Sequence, residues 1–417
     1  MKLKRKDGAI SKHGIIYRAN LPINKNLILD KKLVFRIIMF IIVLKFTYLV
    51  KNIMMRTKII ELIKKYDLNN IHIGTIGSHS ALDIMDGAKD EGLKTVVVCQ
   101  KGREKPYLMF KRLYDEIIIL NKFSQIINEE IQKKLRSLNT IFIPHRAFTT
   151  YVPYDDIENR FMIPIFGNRD MLRTEERWAP KNQYYLLEKA GIRQPKRFKS
   201  PDEIDRPVIV KVQEAKRKIE RAFFTATSPD DYWKKAKDRI EKKIITEEDL
   251  KNAVIEEFVL GTYFNFNYFY SPIDDELEFL GIDRRLQTNL YDFVNLPAKQ
   301  QLDIDIPLQN IEVGHMPATI RESLLEKVFD IGLRFVQTTK KEYPPGIIGP
   351  FALQGAVTVD LDIVIFDVSP RVPGSPVLIT TSPYSKFKHG FIVGTGRRIA
   401  MEIKKAINLN KVTDIIT

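Results

Sequence analysis

Between Ile71 and Ile143 the sequence alternates strand-like and helix-like runs, and this alternation narrows the possible folds more than any other feature. Ile71–Ile76, Thr95–Cys99, Glu116–Leu120 and Thr140–Ile143 are short, mostly β-branched runs. Ala81–Glu91 places Ala81, Leu82, Ile84, Met85 and Ala88 at helical spacing and stops at Gly92, and Gln125–Leu135 also reads as a helix. Such alternation predicts an α/β domain: a parallel sheet with helices on its faces, whose ligands bind beyond the C-terminal strand ends. Three polar turns fall at such ends: Gly77-Ser78-His79-Ser80, Pro144-His145-Arg146, and Gly167-Asn168-Arg169 after an expected strand Phe161–Phe166. Gly77 permits a tight turn, Ser78 would cap the helix or hold a phosphate, and His79 would meet an anionic substrate. A serine N-cap beside an exposed histidine is the plainer account of the first turn.

A second region has the parts of a nucleotide site. The strand Pro207–Val212 carries Lys211, placed to reach phosphates as a point charge. Ala253–Gly261 contains Glu256, Glu257, Phe258 and Val259. A strand joining two lobes there would offer its backbone to an adenine edge and a carboxylate to a ribose. Tyr263–Tyr270, with Asn265 and Asn267 two apart, reads as a strand with one well-buried face. Glu276–Leu286, which includes Asp283-Arg284-Arg285, is its expected antiparallel partner, and Ala318–Thr338 and Gly396–Ile407 are expected helices. Near the C-terminus, Pro344–Gln354 and Asp362–Arg371 form an expected hairpin connected by Gly355–Leu361. Antiparallel pairing would bring Gln354 and Asp367 close together on one face. Two hard oxygen donors on neighbouring strands can hold Mg²⁺, and that ion can bridge a nucleotide's phosphates. A core hairpin ending in two polar residues is the alternative.

The net charge of +15 invites a nucleic-acid reading, but residues 1–53 hold twelve Lys and Arg against two acids and so account for +10 of it. The rest is not strongly basic and lacks a basic patch interleaved with aromatics, so no nucleic-acid partner is expected. The apolar run Leu33–Val50 is broken by Arg36 and Lys45. Its clean core, Ile37–Leu44, falls short of the about 20 residues a spanning helix needs. A peripheral anchor, a weak span, or a natural start at Met54 or Met55 are the open readings. The third is preferred, because an amphipathic helix begins at once with Ile59, Ile60, Leu62, Ile63 and Tyr66. Membrane association is expected only if 33–50 is native. The single cysteine, Cys99, excludes an intrachain disulfide and fits a reducing cytoplasm. No Cys/His cluster has zinc-ligand spacing.

The motifs Gly77-Ser78-His79-Ser80-Ala81-Leu82, Asp86-Gly87-Ala88-Lys89 and Gln100-Lys101-Gly102-Arg103 resemble the N-terminal domain of the archaeal formate-dependent AICAR ligases, the FAICAR synthetases of the ATP-grasp class. Val208–Lys211, Ile255–Glu257, Tyr268–Pro272, Ile320–Leu325 and Pro345–Phe351 continue the resemblance over about residues 55 to 417. It implies an ATP-grasp fold behind a Rossmann-like domain: an extension 1–53, an N-terminal domain 54–175, a lid 176–255 and a C-terminal catalytic domain 256–417. It implies formylation of AICAR with formate and ATP in purine synthesis, Mg (or Mn) as cofactor, no covalent nucleophile, and a cytoplasmic homo-oligomer. By position, His79, Ser78, Ala147, His315 and Arg371 would contact substrate. Lys211, Glu256, Glu257, Phe258, Val259 and Gln287 would contact ATP, and Gln354 and Asp367 would hold the metal.

The sequence departs from the family at several of these positions. Asp367 stands where the family has glutamate, Ala147 where it has serine, His315 where it has asparagine, and Gln287 where it has glutamate. The glycine-rich loop is replaced by Val212–Glu220, which has no glycine but carries Lys216, Arg217 and Lys218. Val377 replaces an asparagine. Two further readings therefore stay open: a carboxylate–amine ligase with another substrate, and a non-catalytic paralogue serving as a binding or oligomer partner.

Overall fold

Short β-branched runs separated by amphipathic helices build the first sheet. The computed structural model describes residues 54–212, 223–289, 296–297, 300, 310–374, 378 and 382–417, together with Met39. The apolar run 33–50 (Met39 apart), the stretch 213–220 and Val377 lie outside the described residues. β1 (His72–Ile76), β2 (Lys94–Gln100), β3 (Glu116–Leu120) and β4 (Thr140–Phe142) are parallel in the order β3–β2–β1–β4. β1 is buried throughout, as a central strand covered on both faces should be. The helix Ala81–Asp90 buries Ala81, Ile84, Met85 and Ala88.

Two expectations in this part are corrected. The helix expected from Gln125 begins at Glu129, because Asn128 is extended and residues 123–127 form a separate 3-10 turn. Phe161–Phe166 is not a strand. Pro164 withholds a backbone donor, and among the described residues the segment makes single bridges alone, Phe142 to Ile165 and Phe166 to Ile416.

A second, antiparallel sheet contains β5 (Arg197–Phe198), β6 (Val208–Lys211), β7 (Phe223–Ala226) and β8 (Val254–Glu257) in the order β5–β8–β6–β7. The helix Pro229–Glu241 closes its core through Tyr232 and Ala236, which pack with Val208, Val210, Phe224 and Ile255.

The third sheet holds β9 (Thr262–Ser271), β10 (Glu276–Asn289), β11 (Asn310–Ala318), β12 (Gly349–Val357) and β13 (Ile363–Ser369), antiparallel in the order β11–β10–β9–β12–β13. Period-two alternation divides β9. Phe266, Tyr268 and Tyr270 join a core with Val328 and Phe335 of the helix Leu325–Glu342, while Asn265 and Asn267 face the other way. That helix begins later than expected. Ala318 ends β11 opposite Ile282, and Arg321 is extended. The hairpin connection is also shorter than expected, since β12 runs on to Val357.

Two features cross the expected domain borders. β8 runs to Glu257, past 255. The helix Thr395–Asn408 returns to the first domain and crosses Ala81–Asp90 at Gly87 and Gly396. A Cβ on Gly87 would lie 1.9 Å from the Arg397 nitrogen, so only glycine admits this approach. Ile399, Ile403, Ile415 and Ile416 share one core with Ile59, Ile63, Ile73, Ile84 and Phe269. Residues 55–417 accordingly form one compact unit. No described helix is long and apolar enough to cross a membrane.

Candidate active site

The turn after β1 places His79 at φ 50°, a left-handed conformation that is uncommon for a non-glycine residue and clusters at functional sites. The helix N-cap is Ser80 rather than Ser78, and Ser80 does not cap with its side chain. Its hydroxyl lies 2.8 Å from the Pro373 carbonyl and 2.7 Å from His79 Nδ1. A hydroxyl has one proton, and a carbonyl can only accept it. Ser80 Oγ therefore donates to Pro373 and accepts from His79 Nδ1–H, which leaves His79 Nε2 as an acceptor. The His79 side chain keeps surface open to solvent but is ringed by protein. Desolvation, then His145 and Arg371, hold its pKa well below the ordinary histidine value. His79 is therefore neutral.

His145 stacks beneath it, ring centroids 5.5 Å apart, and is fully buried. Its Nδ1 accepts from the Ala147 backbone N–H at 3.2 Å, so its Nε2 donates to the Ile76 carbonyl at 2.9 Å. Burial, opposed by that bond, drives its pKa down to about 4. His145 fixes the turn that carries His79, and Ala147 lies buried at the start of the next short helix. Ser78 is half-buried, and its backbone closes the turn onto Ile76.

The polar face of the third sheet carries a continuous row. Register places Asp283, Asn265, Gln354 and Asp367 side by side on β10, β9, β12 and β13. Asp283 is fully buried. It accepts from the Asn265 and Asn267 amides at 2.7 Å each and lies 2.5 Å from His315 Nδ1. His315 Nε2 lies 2.9 Å from Glu312. Burial opposes charge on His315, but these two carboxylates outweigh it and raise its pKa to about 9. His315 is thus a cation donating from both nitrogens. Its neighbour across the cleft is His79: a Cβ on Gly374 would lie 3.0 Å from His79 Nε2 and 3.5 Å from His315 Nε2. Gln287 follows a β-bulge on β10, opposite Glu312, and is half-buried three strands from Asp367.

The second sheet reaches the other end of that row. Lys211 is ion-paired with Glu256, both buried, and its Nζ lies 5.7 Å from the ring of Phe366, beside Asp367. Glu256 also accepts from Tyr184 at 3.2 Å. Glu257 accepts from the Lys196 N–H at 3.1 Å, and the Phe258 N–H donates to Pro207 at 2.9 Å. Val259 packs on Ala356 and Val364 of the hairpin. Residues 258–261 are the short link from the second sheet to the third.

Arg371, at the end of the hairpin, donates to Glu175 at 2.8 Å and to the Val372 carbonyl at 3.2 Å. Arg146 approaches Glu175 at 3.4 Å and Glu176 at 3.5 Å. Glu175, ahead of burial, holds the Arg146 pKa above its ordinary value, and Asp367 adds to the effect.

Residues 73–198 match a family model described as a protein of unknown function (DUF1246), and residues 231–417 match a domain of unknown function (DUF1297). The 5-formaminoimidazole-4-carboxamide-1-(beta)-D-ribofuranosyl 5'-monophosphate synthetase of Methanocaldococcus jannaschii is 44% identical over 363 residues, 87% of this chain and 99% of that protein. The protein of the same name from Methanothermobacter thermautotrophicus is 43% identical with the same coverage. The chain belongs to this synthetase family. Among solved structures, the IMP biosynthesis protein PurP from Thermococcus kodakaraensis aligns with a TM-score of 0.64 and 29% identity, covering 83% of this chain and 100% of that one. An ADP complex of N5-carboxyaminoimidazole ribonucleotide synthetase, at 16% identity, aligns with a TM-score of 0.53 over 76% of this chain and 75% of its own, which shows the shared fold. This member of the synthetase family has the ATP-grasp fold with a Rossmann-like N-terminal domain.

Several residues of the candidate site carry little signal in the sequence. Asn265, Asn267 and Asp283 read from the sequence only as strand residues, yet they build the row. The period-two recurrence of asparagine in an aromatic strand was the available signal, because a buried face that keeps amides must pair them. Arg146 reads in the sequence only as part of a turn. Glu175 gave no signal, because Arg146 and Arg371 are distant in sequence, whereas Glu312 lies three residues before His315 on the same strand.

Proposed function

We propose that the chain converts AICAR to its 5-formamido product, FAICAR, using formate as the formyl source and ATP as the driving reagent. It is an ATP-dependent ligase that forms a C–N bond in purine biosynthesis. The 44% identity across nearly the whole of a named synthetase carries this reading. The neutral His79 opposite a polar row that ends at Asp367 supports it.

In our reading, a formate oxygen attacks the γ-phosphorus of ATP, the bond to the bridging oxygen breaks, and ADP leaves. The AICAR amine then attacks the formyl carbon, phosphate departs, and the amine loses a proton. Such chemistry asks the protein for positioning and charge rather than for a nucleophile. His79 Nε2, held as an acceptor by Ser80, orients the amine through one of its protons. Lys211 meets the phosphates, in exchange for part of its pairing with Glu256. Residues 256–259 border the adenine and ribose, with Glu257 and Phe258 tied down by Lys196 and Pro207. Gln354 and Asp367 fit a divalent cation, because two hard oxygen donors face each other across adjacent strands. When bound, that ion, Mg²⁺ in our reading, would offset phosphate charge as it builds. We place the reaction in the cytoplasm.

ADP release by the full chain with Mg-ATP, formate and AICAR, each omitted in turn, tests the reading. Turnover that needs all three is expected. ATP hydrolysis indifferent to AICAR or formate would point to another pair of substrates, and absence of ATP binding would leave only a non-catalytic role.

A further inference from the structure

Arg146 and Arg371 come from opposite sides of the cleft. Arg146 opens the short helix after β4, whereas Arg371 follows β13. Among the described residues, one carboxylate, Glu175, pairs with both. Arg371 is more than nine-tenths buried. The contact is only half made: among the described residues, the buried Arg371 Nε and Glu175 Oε2 have no hydrogen-bond partner, and Arg146 Nη1, though ion-paired with Glu175 and Glu176, makes no hydrogen bond. Buried polar atoms in native proteins are nearly always paired, and unpaired ones collected at one point mark a place where another polar group is received. Glu175 is not a loose side chain. Its carbonyl accepts from the buried Gln183 at 3.0 Å, and Gln183 accepts from the Val368 N–H at 2.6 Å, one residue beyond Asp367. Its backbone is thereby keyed to the hairpin.

Charge decides what can enter. Two guanidiniums face Glu175, Glu176 and Asp367, so the fork between the arginines is already neutralised by the protein's own acids. An incoming carboxylate must share the arginines with Glu175. A large acid would have to expel it, whereas the smallest acids can lie beside it.

We propose that Glu175 is a positioning residue and an internal competitor: it holds Arg146 and Arg371 in the geometry of a carboxylate site and selects for the smallest acid substrate. This deepens the ligase reading and rests on it for the identity of the acid. A residue that only supports structure does not tighten substrate binding when it is replaced, and this one should.

The test compares wild type with Glu175→Gln and Glu175→Asp. Formate KM should fall by at least about threefold in Glu175→Gln, and by less in Glu175→Asp, whose carboxylate is withdrawn by one methylene. kcat should fall in Glu175→Gln, since the arginines are no longer held. KM values for ATP and AICAR should stay near wild type. The rise in Tm on adding sodium formate over sodium chloride reports the fork without turnover, and it should be larger in Glu175→Gln than in wild type. Unchanged or raised formate KM, with no gain in the formate-induced Tm shift, would overturn the proposal. If Glu175→Gln does not fold, the Glu175→Asp values decide in the same sense. Wild type lacking formate-dependent turnover would remove the ligase reading, while the Tm comparison would still judge the fork.

Discussion

The His315 ring lies between two carboxylates, with Nδ1 2.5 Å from Asp283 and Nε2 2.9 Å from Glu312. Burial disfavours its charge, yet these partners raise its pKa from 6.5 to about 9. A raised folded-state value stabilises the protein fully below the unfolded value, and the contribution disappears as pH rises through the folded one. Wild-type Tm should therefore fall between pH 6.5 and 9 more steeply than that of His315→Gln. Parallel curves from calorimetry at matched ionic strength would refute the assignment.

Asp283 is the hub of the polar row. Asp283→Ala would leave two amides and an imidazolium without their shared acceptor, at a cost of about 3–5 kcal/mol. Urea unfolding monitored by tryptophan fluorescence should show this as a large drop in midpoint, while Glu312→Gln, removing a partly exposed partner, should cost much less. Equal effects would mean that His315, not the row, is what Asp283 supports.

Asp367 is only half-buried, so its removal should spare the fold. Asp367→Ala should lower Mg-ATP turnover by at least about 10²-fold with little change in Tm. Asp367→Glu, one methylene longer, should keep measurable turnover. An active Asp367→Ala protein would remove the metal assignment.

Lys211 and Glu256 should separate stability from nucleotide binding. Lys211→Met takes the ammonium from a buried carboxylate, so it should destabilise the protein and raise the ATP KM by at least about tenfold. Adding Glu256→Gln should recover stability but not ATP affinity. Recovery of both would show that Lys211 acts only within the pair.

The sequence made local elements legible wherever their pattern was internally consistent. Glu116–Leu120 has the expected bounds, and β9 exceeds its expected span by one residue at each end. Both are long enough in pattern to outvote their neighbours. Phe161–Phe166 failed because Pro164 vetoes a ladder that its aromatic and β-branched residues favour. The helix expected from Gln125 was divided because Asn128 takes an extended conformation before two first-turn acids. The candidate site was legible where its parts lie on one turn or one hairpin, as in the pairing of Gln354 with Asp367. Glu175 owes its importance to two arginines brought near by folding, and no local periodicity encodes that.

The return of the Thr395–Asn408 helix onto Ala81–Asp90 bears on how the chain can be made. Ile73 and Ile84 complete their core only with Ile399, Ile403 and Ile415. During synthesis the first sheet must wait, with part of its apolar surface uncovered, until more than three hundred residues later those partners leave the ribosome. Folding from the N-terminus, domain by domain, is closed to this architecture. Its slow step should be the docking of the final helix, and ribosome-stalled chains that end before Thr395 should bind chaperones that full-length chains release.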